Sequence, residues 1–244
     1  MATRLYSVIF DAADLGAQAR FWSEATGWPI VYDAEDEKVV EPPDEDGNWI
    51  ALAFVPVDDP KVGKNRVHLD LASTSEDHQA EIVSRLLEAG AVPVDVGQQD
   101  VPWVVLADPE GNELCVLEPR DEYARAGAVA AVVLDATDPG AAADFWAEAS
   151  GWPVVAREDS HAALAHPTGI GPRLEIVRVD DPKVAKNRVH TDVAPAKDDD
   201  QATEVARLKA LGATDADVGQ GDDHTWVVLA DPLGNEFCVL SPRD

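Results

Sequence analysis

The sequence predicts an α+β protein of two tandem domains, because most of its 244 residues belong to a segment that occurs twice. One match joins FWSEATGWPIV at 21–31 to FWAEASGWPVV at 145–155. Two others join DDPKVGKNRVHLD to DDPKVAKNRVHTD and WVVLADPEGNELCVL to WVVLADPLGNEFCVL. Runs of this length indicate a duplicated structural unit. The second observation behind the fold class is that the order of predicted elements repeats again within each copy.

That order is one strand, one helix and three strands, so each copy contains two predicted modules. The modules span residues 1–57 and 64–121 in copy one, and 127–179 and 186–244 in copy two. The copies therefore give domains at 1–121 and 127–244. The stretch PRDEYARAG at 119–127 is charged and lacks apolar periodicity, and we interpret it as the linker.

The first module begins with a β-rich strand, LYSVIF, at 5–10. A helix follows from the capping residue Asp14 to Gly27, with apolar residues on one face. The equivalent helix of copy two begins with Asp138-Pro139, a cap followed by the residue best suited to the first turn. The three strands are expected near 29–32, 38–41 and 49–57.

The second module repeats this order. A strand at 66–72 precedes a helix near 75–89, which Gly90 closes. Strands are expected near 92–96, 103–107 and 113–118. The turn between the last two, DPEG at 108–111, has the proline and glycine positions of a type I turn. The helices lie on one side of the sheets, and the opposite faces must be covered or form a cavity.

The composition of the chain makes several classes of function and partner improbable. With 19 Lys and Arg against 47 Asp and Glu, the formal charge is −28, which disfavours nucleic-acid and anionic-membrane partners. No apolar run approaches the roughly 20 residues of a membrane span, and the N-terminus lacks the pattern of a signal peptide, so we expect a cytoplasmic protein. The two cysteines, Cys115 and Cys238, occupy equivalent places and are expected to be separate thiols.

The motifs FW…GWP, KNRxHxD and DPxGNExC, with two strand–helix–three-strand modules per copy, resemble the vicinal oxygen chelate superfamily. This group contains glyoxalase I, extradiol dioxygenases and bleomycin-resistance proteins, and the likeness is strongest to its glyoxalase-like domain branch. The resemblance implies that each domain is a pair of βαβββ modules forming a half-open curved sheet. The sequence leaves open whether a cup forms within one copy or by pairing modules of different copies. It covers nearly the whole chain and implies either a monomeric pseudo-dimer or a homodimer.

The resemblance also implies positions for a site, since metal-using relatives take ligands from the first, fifth and eighth strands and sometimes the fourth. These positions carry Ser7, His68, Cys115 and Ala53 in copy one, and Ala131, His190, Cys238 and Glu175 in copy two. Strand alternation places Asp70 on the same face as His68, and Asp192 on the same face as His190. Trp103 and Trp226 each begin a strand and offer a stacking surface or core packing.

We expect no catalytic metal, because three protein ligands plus water are typical of catalytic zinc and the first strand offers only Ser7 or Ala131. The alternative is a divalent transition metal, with zinc favoured by the thiols, bound by His68 and Cys115 or by Glu175, His190 and Cys238. A second alternative is a Cys–His nucleophile pair, for which no third orienting residue is identified.

Three functions remain open. The leading hypothesis is a glyoxalase/bleomycin-resistance-like protein that binds a small organic ligand in its cups without catalytic metal. The first alternative is a metal-dependent lyase, isomerase or dioxygenase of the same superfamily. The second is a structural or interaction protein with closed cups. His161, His166 and His224 have no counterpart in copy one and indicate that the cups differ. We expect Lys64, Arg66, Lys186 and Arg188 to pair with nearby carboxylates.

Overall fold

The computed structural model describes residues 3–43, 50–181, 183–219 and 224–243. The described residues form four modules of one strand, one helix and three strands. The predicted strand at 49–57 begins at Ala51 in the structure, and Trp49 lies outside the described residues. The modules of copy one contain β1 Arg4–Ala12, α1 Leu15–Thr26, β2 Ile30–Asp33, β3 Lys38–Val40 and β4 Ala51–Pro56, then β5 Val67–Leu71, α2 Glu76–Glu88, β6 Val92–Pro93, β7 Val104–Ala107 and β8 Glu113–Val116. Those of copy two contain β9 Val129–Ala136, α3 Pro139–Ser150, β10 Val154–Arg157, β11 His161–Ala165 and β12 Arg173–Arg178, then β13 Val189–Ala194, α4 Gln201–Ala210, β14 Thr214–Asp215, β15 Val227–Ala230 and β16 Glu236–Val239.

Local sequence explains where the helices begin and end. The Asp14 side chain accepts a hydrogen bond from Ala17 N at 2.8 Å, and Gly27 ends α1 with φ 75° in the left-handed region. Pro139 occupies the first turn of α3, as predicted. The strand predicted near 92–96 is shorter than expected, because the Asp95 side chain accepts from Gly97 N at 2.8 Å and turns the chain.

The modules assemble into two open eight-stranded mixed sheets. The first sheet has the order β14-β15-β16-β13-β1-β4-β3-β2, and the second has β10-β11-β12-β9-β5-β8-β7-β6. The predicted α+β fold of paired βαβββ modules is confirmed. Each pair, however, combines modules from different copies, since β1 pairs with β13 and β5 pairs with β9, both antiparallel.

The similarity of two strands makes the exchange possible. The strand of KNRVHLDL and the strand of KNRVHTDV present nearly the same edge and face, so either is a suitable partner for β1. The sequence repeat therefore defines the copies but not the sheets. In each sheet, one module comes from copy one and the other comes from copy two.

The helix-facing sides of both sheets contribute to one continuous hydrophobic core. Phe10 and Trp22 pack with ring centroids 4.9 Å apart, and Trp146 packs on Phe237 at 5.3 Å. The indole of Trp22 donates to Asp108 Oδ2 at 3.2 Å, and Trp146 donates to Asp231 Oδ2 at 3.2 Å. The two DPxGN turns are thus anchored to the helices by their aspartates.

The repeated KNR residues join the copies through ion pairs and hydrogen bonds. Lys64 Nζ lies 2.5 Å from Asp135 Oδ2, and Lys186 contacts Asp11. Arg66 donates to the Asp135 carbonyl at 2.9 Å, while Arg188 donates to Glu110 Oε2 at 2.7 Å. The expected pairing of Lys64, Lys186 and Arg188 with carboxylates is confirmed, whereas Arg66 binds carbonyl groups and the Asn235 side chain.

Among the described residues, no helix has the length and apolar character required to cross a membrane.

Candidate functional site

Each sheet has a face that points away from the helices, and the predicted site residues lie on these two faces. We name them after their histidines. The His190 cup belongs to the first sheet and contains Ser7, Ala53, His190, Asp192 and Cys238. The His68 cup belongs to the second sheet and contains His68, Asp70, Cys115, Ala131 and Glu175.

Strand register sets the neighbours within each cup. In the His68 cup, one row of Cα partners is Glu175, Val133 and His68, and the next is Arg173, Ala131, Asp70 and Cys115. In the His190 cup the equivalent rows are Ala53, Ile9 and His190, then Ala51, Ser7, Asp192 and Cys238. Both predicted pairs of strand neighbours, His68 with Asp70 and His190 with Asp192, therefore share a face.

The grouping of Glu175 with His190 and Cys238 is wrong. Strand β12, which carries Glu175, pairs with β9, and β9 pairs with β5. Glu175 consequently lies in the His68 cup, whereas His190 and Cys238 lie in the other sheet with Ser7. The error follows from the assumption that the two modules of one copy share a sheet.

The floors of the two cups carry the same three donors. The ligand atoms of His68, Asp70 and Cys115 lie within 4.8 Å of one another, and so do those of His190, Asp192 and Cys238. His68 Nε2 is 3.5 Å from Asp70 Oδ1. In the His190 cup, Nε2 is 3.7 Å from Asp192 Oδ1 and 3.5 Å from Cys238 Sγ.

One carboxylate oxygen in each floor lacks a hydrogen-bond donor. Ser7 Oγ donates to Asp192 Oδ2 at 3.2 Å, but Asp192 Oδ1 is buried, makes no hydrogen bond to a described residue and lies 3.7 Å from His190 Nε2. Asp70 Oδ1 and His68 Nδ1 are likewise buried without a hydrogen bond to a described residue. A buried acceptor without a donor is destabilising, so each floor has the capacity to bind another group.

Burial controls the ionisation of the His190 floor. It lowers the pKa of His190 to about 4, with a smaller contribution from the Lys186 cation, so the imidazole is neutral at pH 7. Burial raises the pKa of Asp192 to about 7, against the effect of the Ser7 hydrogen bond. The pKa of the Cys238 thiol is raised by burial and by the Asp192 carboxylate, and that of Cys115 by burial and Asp70.

The linker fills the His68 cup. Its residues Asp121–Tyr123 form one turn of 3₁₀ helix, and Tyr123 and Ala126 join the hydrophobic cluster on this face. The Tyr123 hydroxyl donates to Glu175 Oε1 at 3.0 Å, and His161 contacts the other oxygen of Glu175. The Arg173 guanidinium lies 5.5 Å from the centroid of the Tyr123 ring. Burial and the Glu175 charge raise the pKa of this phenol.

The His190 cup has a different lining. The places of Glu175 and Arg173 are taken by Ala53 and Ala51, and none of the described residues there comes from the linker. An irregularity in the β1–β13 pairing lies between Leu5 and Ser7, next to Tyr6, which packs on this face. Arg4 and Arg243 lie 5.6 and 5.9 Å from the Tyr6 ring.

The two tryptophans predicted to line the cups, Trp103 and Trp226, also differ in their surroundings. Trp103 packs against the His68 cluster, and the Arg120 guanidinium lies 5.6 Å from its ring. Trp226 keeps 40% of its surface exposed at the rim of the His190 cup and stacks on His224 at 5.0 Å. Of the two, Trp226 is the one with a ring surface open to a ligand.

Sequence reasoning missed Tyr123 and Tyr6. Tyr123 is the one aromatic residue in the stretch 119–127, and an aromatic residue in a charged linker is the signal that marks it as buried. Tyr6 and Ser7 correspond to Ala130 and Ala131, and this difference between the copies was visible in the alignment. Only the observed strand pairing assigns each difference to its cup.

The donor sets fit a divalent transition metal. Imidazole, carboxylate and thiol donors are suitable ligands for zinc, three protein ligands are typical of a catalytic site, and a coordinating thiol loses its proton. The buried oxygen Asp192 Oδ1, without a described donor, lies beside the other two ligands. His190, Asp192 and Cys238 would hold such an ion, which would supply Lewis-acid chemistry when bound. Ser7 and Ala131 are not needed as ligands.

A model of the family described as "Glyoxalase-like domain" matches residues 7–117 and again residues 131–240. Among solved structures, glyoxalase I from Zea mays is 16% identical, with a TM-score of 0.68 over 98% of this chain and 92% of that chain. A proposed dioxygenase from Bacillus subtilis is 14% identical, with a TM-score of 0.63 over 100% of this chain and 86% of that chain. These likenesses concern the fold alone. No curated protein matches the sequence.

Proposed function

Because the chain belongs to the glyoxalase-like domain family, which matches it twice along its length, we propose that it binds a small organic ligand in the His190 cup without a catalytic metal. Its fold is that of the vicinal oxygen chelate superfamily, in which the cup face is the natural place for a ligand. One observation carries the choice of cup. The His68 cup is filled by Tyr123 of the linker, which binds Glu175. In the His190 cup no described linker residue is present, and Ala51 and Ala53 take the places of Arg173 and Glu175.

The chemistry of the lining supports an aromatic ligand with a polar group. Trp226 and Tyr6 offer ring surfaces at the rim, and Arg243 supplies a cation beside Tyr6. The floor offers the Ser7 hydroxyl, a neutral imidazole and a neutral thiol as uncharged polar partners. A largely apolar cup with a few convergent polar groups is the usual form of a small-molecule site.

A ligand screen tests this proposal. Aromatic antibiotics, phenols and small aromatic acids are screened by thermal shift, and hits are titrated by calorimetry. Ala53→Leu should weaken binding of the hits by about tenfold or more, because the larger side chain occupies the cup. It should leave the fold intact, since the equivalent place carries Glu175. A library without hits, or hits that Ala53→Leu does not affect, would reject the His190 cup as the ligand site.

The rim residues give a matched pair of variants. Trp226→Ala should weaken binding about two- to tenfold, from the loss of one aromatic contact of ~0.5–1.5 kcal/mol. Trp103→Ala removes the equivalent tryptophan of the His68 cup and should leave the affinity unchanged. Equal effects of the two variants would argue against binding at the His190 rim.

The second candidate is a metal-dependent lyase, isomerase or dioxygenase, and the buried oxygens of Asp192 and Asp70 favour it. The expectation of no catalytic metal rested on a missing third donor, and these aspartates supply one. Elemental analysis of protein purified without chelator or histidine tag decides between the candidates. About one or two equivalents of a transition metal per chain, reduced by Cys238→Ser and by Cys115→Ser, would replace the metal-free proposal.

A further inference from the structure

The His68 cup encloses one complete phenol. Tyr123 is 8% exposed, its ring packs in the cup cluster, and its hydroxyl donates to Glu175 Oε1 at 3.0 Å. Glu175 is itself 5% exposed, accepts a hydrogen bond from Tyr123, contacts His161, and lies 4.0 Å from the Arg173 guanidinium. The Arg173 guanidinium is placed over the ring at 5.5 Å. Ring, hydroxyl and cation are thus arranged as a ligand and its receptor groups.

These receptor groups belong to this cup alone. According to the strand register, Glu175, Arg173 and His161 of the His68 cup are equivalent to other residues in the His190 cup. These are Ala53, Ala51 and Glu37, in the same order. A buried carboxylate that receives a hydroxyl, beside a guanidinium over the ring, selects an aryl group with a hydrogen-bond donor at its far end. An apolar residue would pack the linker without this selectivity.

Other described linker residues also contact the cup. Ala126 packs in the same cluster, Gly171 N donates to the Arg125 carbonyl at 3.0 Å, and the Arg120 guanidinium lies 5.6 Å from the Trp103 ring centroid. The remaining backbone hydrogen bonds of Tyr123 and Ala124 stay within the linker. Tyr123 therefore behaves as a ligand on a short tether, whose effective concentration is in the millimolar range for a flexible linker.

We infer that the His68 cup is a binding site for 4-substituted phenols, and that Tyr123 of the linker closes it as a tethered competitor. A phenol that enters takes the hydrogen bond to Glu175 and the position under Arg173. The linker then leaves the cup. This site is independent of the ligand site proposed for the His190 cup.

The first experiment measures p-cresol and toluene binding by calorimetry in the intact chain and in Tyr123→Ala. All chains also carry Ala53→Leu, so that the His190 cup does not contribute. Removal of the tethered ring should tighten p-cresol binding about tenfold or more, and p-cresol should bind about tenfold more tightly than toluene. Glu175→Leu in the Tyr123→Ala chain should abolish this preference. Equal affinity in the presence and absence of Tyr123, or equal affinity for both probes, would overturn the inference.

The second experiment uses the unaltered chain and does not depend on the folding of a variant. Trypsin cleaves after Arg120 and Arg125, which flank Tyr123 in the linker. Millimolar p-cresol should increase the rate of cleavage at these two sites, and toluene at the same concentration should not. Tyr123→Phe, which keeps the ring but lacks the hydroxyl, should be cleaved faster at a lower p-cresol concentration. A cleavage rate that p-cresol does not change would contradict displacement of the linker.

Discussion

Cys238 and His190 lie 3.5 Å apart, yet their surroundings do not favour a reactive thiolate. A nucleophilic thiolate needs a neighbouring cation, and burial lowers the pKa of His190 to about 4, so the ring is neutral. Its neighbour on the same face is the Asp192 carboxyl, which supplies no positive charge and further raises the pKa of the thiol. The geometry of the Cys–His pair is therefore correct for a nucleophile, but the electrostatics oppose one.

Alkylation rates test this at the level of single residues. Because the pKa of each thiol is raised by burial and by a carboxylate, the thiolate fraction at pH 8 is small. Cys115 and Cys238 should react with iodoacetamide about a hundredfold or more slowly than a free cysteine. Asp192→Asn should accelerate Cys238 and leave Cys115 unchanged, which makes Cys115 an internal control in mass spectrometry. Fast alkylation of Cys238 in the unaltered, chelator-treated chain would restore the nucleophile hypothesis.

At the scale of elements, the linker determines which cup is filled. Its 3₁₀ turn brings Tyr123 across the His68 cup, where it meets Glu175 from β12. Among the described residues of the His190 cup cluster, none comes from an equivalent connecting segment. One connecting element thus gives two similar sheets different cup linings.

The hydrogen bond of Tyr123 should contribute measurably to stability. Tyr123→Phe removes the donor to Glu175 and leaves a buried carboxylate with one partner fewer, at a cost of about 1–3 kcal/mol. The change is measured by urea denaturation. Tyr6→Phe is the matched control, because the Tyr6 hydroxyl makes no hydrogen bond to a described residue, and it should shift stability by less than about 0.5 kcal/mol. Equal effects of both variants would show that the Glu175 contact is not stabilising.

At the scale of elements, some features could be predicted from the sequence and others could not. Helix α1 and the DPxGN turns were predictable because caps, turn residues and apolar periodicity are local signals. The shared face of His68 and Asp70 followed from strand alternation. The partner of each module was not predictable, because β5 and β13 are nearly identical in sequence and compete for the same edge. Glu175 was therefore assigned to the wrong cup, and Tyr123 was assigned to the linker without a place in either cup.

At the scale of the whole molecule, neither copy can complete a sheet by itself. The two central joins, β1 with β13 and β5 with β9, both cross from one copy to the other. The ion pairs of Lys64 with Asp135 and of Lys186 with Asp11 also join one copy to the other. The chain is thus organised as two equivalent halves that pair through both sheets, consistent with the expectation of a pseudo-dimer within one chain.

This arrangement predicts the behaviour of a single copy. A fragment of residues 1–124 lacks β13 and β9, the strands that pair with β1 and β5 in the intact chain. Pairing with β5 and β1 of a second molecule reproduces that arrangement between copies. The fragment should therefore form a homodimer in which β1 of one molecule pairs with β5 of the other, and light scattering coupled to gel filtration should give twice the fragment mass. Mixed with a fragment of residues 125–244, it should form a one-to-one complex that recovers the thermal unfolding of the intact chain. A folded monomeric fragment with native circular dichroism would mean that one copy can close its own sheet, and the exchanged pairing would then not be required by the sequence.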